Sequence, residues 1–244
     1  MINFKLTYKL FGERSILIEW PDRIQEDILK DILNFKEIIE IKLYELIVEI
    51  NYAYNSILIS YKNPISNFKQ HESELKRIYK TSKNQTVLES RIWKIPVCYD
   101  ILFGIDSEEI IQAKDIDFEQ LIALHTEPLY TVFFTGFLPG FLYLGGLLEE
   151  LYFPRKDNPR LSVKKGSVAI GQSQTGIYPN ESPGGWNVIG NSPIKLFNPN
   201  SDAPCKIKGG DKIKFCSISL EEHRHINQMI EMGFYEMESE VFNG

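Results

Sequence analysis

Residues 136–199 read GFLPGFLYLGGLLEELYFPRKDNPRLSVKKGSVAIGQSQTGIYPNESPGGWNVIGNSPIKLFNP. Twelve of the chain's 16 glycines lie between Gly136 and Gly210, and so do eight of its 12 prolines. Glycine permits positive φ and close backbone approach, whereas proline fixes φ and removes a donor. Their alternation with short apolar runs predicts tight turns between short strands, as in a barrel or sandwich. Leu147–Leu151 has room for one helical turn at most.

N-terminal to this stretch the pattern changes. Phe4–Leu10 alternates, Gly12-Glu13 turns and Ser15–Trp20 runs apolar, which predicts a hairpin. Pro21-Asp22 opens a helix with Ile24, Ile28, Ile32 and Phe35 at helical spacing. Tyr44–Ile50 and Ser56–Tyr61 read as strands, joined by Asn51–Asn55. Phe68, Leu75, Ile78 and Tyr79 mark a second helix, and a further strand is expected near Thr86–Val97. This order predicts an antiparallel sheet with helices on one face, a ferredoxin-like α+β domain over residues 1–90.

Pro96–Asp106 reads as a link before residues 91–244 form their own domain. Two short helices follow, the first capped by Ser107 and the second opened by a capping box of Asp117 and Gln120 and ending near His125. Tyr130–Phe134 is a strand. Beyond Pro199, Gly209-Gly210-Asp211 turns into a strand at Lys212–Ile218. Ser219 and Glu222 form another capping box, for a last helix that stops at Gly233.

Composition excludes several function classes. A net charge of −6 argues against a nucleic-acid footprint, which needs a basic patch. No stretch approaches the 18 apolar residues of a membrane span, and MINFKLTYKL lacks a signal-peptide core. Cys98, Cys205 and Cys216 lack CxxC spacing, so a zinc site or disulfide framework is not expected and a reducing cytoplasm fits. There is no GxxxxGK[ST] loop and no GxGxxG. In Gly171-Gln-Ser-Gln-Thr-Gly176, Thr175 stands where a nucleophile elbow needs glycine, so Ser173 reads as a loop serine. His223 and His225 lie two apart on a helix and read as surface histidines; no metal site is expected.

What remains is a polar constellation among turns. His125 either moves protons or caps its helix C-terminus. Arg155 and Arg160 each follow a proline and either grip an anion or pair with Glu149, Glu150 or Asp157. Gln172, Gln174, Thr175 and Tyr178 offer neutral groups for an amide, or satisfy turn backbone. Gly184 and Gly185 let backbone N–H groups cradle an oxyanion beside Trp186, or simply make a tight turn with Trp186 as core filler. Phe137, Pro139, Phe141 and Tyr143 form either a pocket rim or a patch that docks a partner chain.

Six motifs stand together: GFLPGFLYL from Gly136, Pro154-Arg155 with Pro159-Arg160, Gly166-Ser-Val-Ala-Ile170, Gln174-Thr-Gly-Ile-Tyr-Pro179, Ser182-Pro-Gly-Gly-Trp186 and Leu196-Phe197. Their order and spacing resemble the family of the 5-oxoprolinase B subunit, kinase A inhibitor KipI and allophanate hydrolase subunit 1. It is similar to part of the carboxyltransferase domain of urea carboxylase. The resemblance is close from His125 to Asp211. It implies a ferredoxin-like domain followed by a cyclophilin-like β-barrel. By resemblance, the chain is one component of an ATP-dependent 5-oxoprolinase that hydrolyses the lactam of 5-oxo-L-proline to L-glutamate. Its implied partners are the homologous C subunit and the A subunit of that complex, with ATP shared among them. His125, Arg155 and Arg160 are then the catalytic residues. The alternatives are a KipI-like histidine-kinase inhibitor and a component of a urea or allophanate carboxyltransferase-type assembly.

The chain departs from the family pattern in places. Asn191 stands where an arginine is usual, Leu142 where a proline is common, and Lys164-Lys165 where Pro-Ala is usual.

Overall fold

A computed structural model describes residues 4–81 and 89–242. The chain divides into two compact units, residues 1–88 and 89–244. Both mix helices with sheet, fully antiparallel in the first unit and with one parallel strand pair in the second.

The first unit contains strands β1 (Thr7–Phe11), β2 (Ser15–Glu19), β3 (Ile47–Ala53) and β4 (Ser56–Tyr61), with helices α1 (Glu26–Leu43) and α2 (Phe68–Thr81). The sheet runs β1-β2-β4-β3 and every pairing is antiparallel. Period-2 alternation sends Ile16, Ile18, Ile57 and Ile59 to one face, where they meet Ile28, Ile32, Phe35 and Ile39 of α1. Burying each such side chain stabilises the unit by about 1.5–3 kcal/mol. Trp20 Nε1 and Tyr79 Oη both donate to Asp31 Oδ2, at 2.7 and 2.6 Å, so the aromatic rings enter the core with their polar atoms satisfied.

The first helix begins later than its apolar spacing suggests. Ile24 lies outside it, half exposed, and Glu26 and Asp27 occupy the first turn, where the helix dipole favours acids. Tyr44 caps that helix and does not start β3. The topology also departs from a ferredoxin-like sheet. The place beside β2 is filled by β1, and the strand expected after α2 is not in this sheet. Residues 86–88 of that expected strand lie outside the described residues. Its remainder, β5 (Ser90–Val97), pairs in the second unit, because Trp93, Ile95 and Val97 belong to that unit's core.

The second unit adds α3 (Ser107–Lys114), α4 (Phe118–Thr126), β6 (Tyr130–Thr135), β7 (Leu142–Gly145), β8 (Arg160–Val163), β9 (Ser167–Gly171) and β10 (Gln174–Ile177). After these come β11 (Ser182–Gly184), β12 (Asn187–Asn191), β13 (Lys212–Ser217), α5 (Leu220–Glu231) and β14 (Ser239–Phe242). Eight strands form one sheet in the order β12-β9-β10-β7-β6-β13-β5-β14, while β8 and β11 make a separate ribbon. The sheet is not a closed barrel, contrary to the sequence reading. The edge of β5 that would complete a barrel is covered along Ser90–Trp93 by β14. Among the described residues Cys98, just past β5, reaches the far end in an isolated bridge to Asn191.

Alternation along these strands creates two apolar layers. Leu142, Leu144, Val168, Ile170, Ile177 and Ile189 point into the main core. Phe141, Ala169, Tyr178, Trp186 and Val188 form a smaller cluster that Tyr143 and Leu138 pack against. That split decides where the functional residues end up.

Both capping boxes form as expected, at Asp117/Gln120 and Ser219/Glu222. Ser107 does not cap α3; the N-cap position is Asp106, and its carboxylate is engaged elsewhere. Asp211 anchors the turn before β13 by accepting from Trp93 Nε1 at 2.9 Å and from the Arg91 and Lys208 amides, both at 3.0 Å.

Candidate functional site

Trp186 follows β11 and lies in the smaller aromatic cluster, its ring 5.6 Å from that of Phe141 in an edge-on contact. Phe141 also meets Tyr178 edge-on at 5.6 Å and Tyr143 at 5.1 Å. Over this floor lies the Arg155 guanidinium, 5.5 Å from the Trp186 ring centroid. Arg155 is exposed and pairs with no carboxylate among the described residues. The cluster is thus an aromatic shelf carrying an uncommitted planar cation.

Tyr178 is buried in the same cluster, beside Phe141. Burial raises its hydroxyl pKa, and a hydrogen bond to Trp186 backbone and the charges of Arg155 and Arg160 act the other way. The hydroxyl therefore remains protonated at neutral pH and is a neutral donor. Gly184 makes room for it: a Cβ there would collide with the Tyr178 hydroxyl. Gly171 and Gly176 do the same for Trp186, since Cβ atoms there would lie 2.5 and 3.2 Å from its ring. Gly184, and not Gly185, serves this close approach. Gly184 is paired with Arg160 in the β8–β11 ribbon, and the Gly185 carbonyl accepts from the Lys156 amide at 2.8 Å.

Arg160 does not share the freedom of Arg155. Its two terminal nitrogens donate to the two oxygens of Asp106, at 2.9 and 2.6 Å. Asp106 is buried and also accepts from the Val188 amide at 2.7 Å, while Lys156 sits 3.0 Å from it and 2.7 Å from Glu109. Burial would raise the Asp106 carboxyl pKa, but the bonds from Arg160, Val188 and Lys156 prevail and hold it below the usual carboxylate range. Asp106 was invisible as a site residue in the sequence, where it closes an apparent link. Neither Glu149, Glu150 nor Asp157 is the partner of Arg160 or Arg155.

His125 belongs to the other layer. It is fully buried at the end of α4 and stacks on Phe215 at 4.7 Å. Thr175 Oγ1 donates to Ala169 O at 3.1 Å, so it accepts from His125 Nε2, 2.8 Å away. That leaves Nδ1 as the acceptor for the Tyr99 hydroxyl at 2.7 Å. Burial drives the imidazole pKa down to about 3. At neutral pH the ring is uncharged, with both nitrogens occupied. It links a helix to the sheet and has no open path for carrying protons to a substrate. The alternation of β10 explains the separation: Thr175 and Ile177 face the main core, whereas Gly176 and Tyr178 face Trp186.

The remaining expected residues divide similarly. Gln174 is half-buried on the outer side of β10, two residues from Gly176. Gln172 is exposed at the β9–β10 turn with φ +59, and its backbone bridges Phe153. Phe137 is 64% exposed at φ +62, an unusual conformation for a bulky residue, and Pro139 is exposed beside it. Phe141 is buried and so floors the shelf instead of docking a partner; Tyr143 is half-buried, stacked on Phe134 at 4.3 Å. His223 is not a surface histidine: its Nε2 donates to Asn191 Oδ1 at 2.8 Å, and Asn191 Nδ2 donates to Lys165 O at 2.9 Å. His225 is exposed. No cluster of three or more metal-ligating side chains occurs among the described residues, and no described helix is long and apolar enough to cross a membrane.

Arg155, exposed and without an acidic partner among the described residues, thus lies over a buried aromatic floor, on a mixed α+β carboxyltransferase-like fold. Residues 6–207 match the family model of the carboxyltransferase domain, subdomain C and D. The chain is 32% identical over 225 residues to the 5-oxoprolinase B subunit of Bacillus subtilis, covering 87% of this chain and 92% of that protein. It is 39% identical over 208 residues to the 5-oxoprolinase B subunit of Escherichia coli O157:H7, covering 84% and 93%. Kluyveromyces lactis urea carboxylase superimposes with a TM-score of 0.80 at 21% identity, over 98% of this chain and 24% of that one, a likeness of fold alone. The chain belongs to the 5-oxoprolinase B-subunit family of carboxyltransferase-type domains.

Proposed function

We propose that this chain is the B subunit of an ATP-dependent 5-oxoprolinase assembly, which opens the lactam of 5-oxo-L-proline to L-glutamate, and that it supplies one wall of the composite site. The observation that carries this reading is Arg155, a cation stacked on Trp186 with no acidic partner among the described residues. The substrate brings a carboxylate and a planar lactam. Arg155, exposed over the Trp186 ring, would hold the carboxylate bidentately, with the buried Trp186 and Tyr178 supporting it from below. Gln174 lies on the same side of β10, where it would contact the lactam amide.

A triphosphate needs several uncommitted donors. Arg160 and Lys156 are already tied to Asp106, so the shelf does not fit ATP by itself. ATP contacts are accordingly assigned to the partner subunits, a homologous C subunit and an A subunit. Phe137 and Pro139, exposed beside the shelf's aromatic floor, are the proposed docking residues of this chain. The test is reconstitution with the neighbouring subunits, followed by ATP-dependent release of glutamate. Turnover of 5-oxoproline by the isolated chain would contradict the shared site. A KipI-like inhibitor would instead bind a histidine kinase and retain that effect after Arg155→Ala.

A further inference from the structure

We infer that the second unit carries a cleft for a small amphiphilic monocarboxylate, floored by Ile194, Leu196, Ile207 and Met237 and edged by Lys195 and Lys206. The cleft holds about 250 Å³ between the segment 194–207 and the end of α5 with the residues after it. Ile194, Leu196 and Ile207 are buried members of the main core, and Met237 packs against that core. Its floor is therefore apolar and fixed.

The other wall stands by itself. The Asn198 amide donates to Pro204 O at 2.9 Å, the Asn200 amide to Asn198 Oδ1 at 3.1 Å and the Ala203 amide to Ser201 Oγ at 3.3 Å. A loop that satisfies its own backbone keeps its shape without collapsing into the space beside it.

Charge completes the case. Lys195 and Lys206 are exposed, and neither makes an ion pair with a described residue. No carboxylate lines the cleft among the described residues, although the chain as a whole carries −6. Two ammonium groups over an apolar floor match an anionic head on an aliphatic body. A cleft of about 250 Å³ suits a short chain or one ring.

None of these residues belongs to the Arg155 shelf, so the cleft and the proposed lactam chemistry stand or fall separately. The test titrates the purified chain with hexanoate and with hexan-1-ol, following heat and the Met237 methyl resonance. Hexanoate is expected to bind and shift that resonance, with hexan-1-ol at least tenfold weaker. Replacing both Lys195→Ala and Lys206→Ala should weaken hexanoate at least tenfold. Ala203→Trp, at an exposed site on the rim, should block it. Absence of a Met237 shift, equal affinity for the alcohol, or unchanged affinity in either variant overturns the inference.

Discussion

His125 Nε2 donates to Thr175 Oγ1 across 2.8 Å, joining the end of α4 to strand β10 inside the main core. The bond completes a relay from the Tyr99 hydroxyl through the ring to Ala169 O, in which each donor has one acceptor. A histidine held this way is a structural member, and its consequences are read in stability.

The first consequence is a pH dependence. His125 has a folded pKa of about 3 against 6.5 in the unfolded chain. The unfolded state therefore binds a proton that the folded state refuses, and stability falls as pH drops from 6.5 toward 3. The slope approaches about 1.4 kcal/mol per pH unit well below 6.5. Urea unfolding between pH 7 and 5, where most carboxylates stay ionised, should show the loss. His125→Gln should be less stable at pH 7 yet flatter across this window.

The Asp106–Arg160 pair gives a second expectation. Arg160→Ala leaves a buried carboxylate with only Lys156 and the Val188 amide, and should cost about 3–5 kcal/mol. Arg160→Lys should recover only part, because an ammonium cannot make both bonds. Arg155→Ala, at an exposed position, should change stability by no more than about 0.5 kcal/mol. Denaturation midpoints of the three variants separate the roles of the two arginines.

A third expectation concerns Gly184. A Cβ at this position would meet the Tyr178 hydroxyl, so Gly184→Ala should destabilise the chain by about 1–3 kcal/mol. Tyr178→Phe removes the nearest clashing atom and should restore part of that loss. A double-mutant cycle in urea would show a favourable coupling; simple additivity would mean that the contact is absent.

Local chemistry was legible in the sequence wherever neighbours in sequence decide the outcome. The capping boxes at Asp117 and Ser219 depend on residues three apart, and both formed. The glycine-rich stretch correctly announced tight turns and short strands. Long-range pairing was not legible. Nothing in Ser90–Val97 says that it pairs with β13 and β14, or that β14 covers the edge a barrel would need. Asp106 reads as a loop aspartate until the fold brings Arg160, 54 residues away, onto it. His125 and Trp186 both sit in motifs, but strand alternation places their partners on opposite sides of β10. Thr175 at an inward position was the available clue, since its neighbours Gly176 and Tyr178 belong to the other face.

The proposed function rests on Arg155 acting in an assembled site. The direct measurement is ATP-dependent glutamate release from 5-oxoproline by the chain reconstituted with its partner subunits, wild type against Arg155→Ala, with assembly checked by size-exclusion chromatography. The account predicts an intact assembly whose activity falls at least a hundredfold in the variant. Full activity in Arg155→Ala, or turnover by the wild-type chain alone, would contradict it.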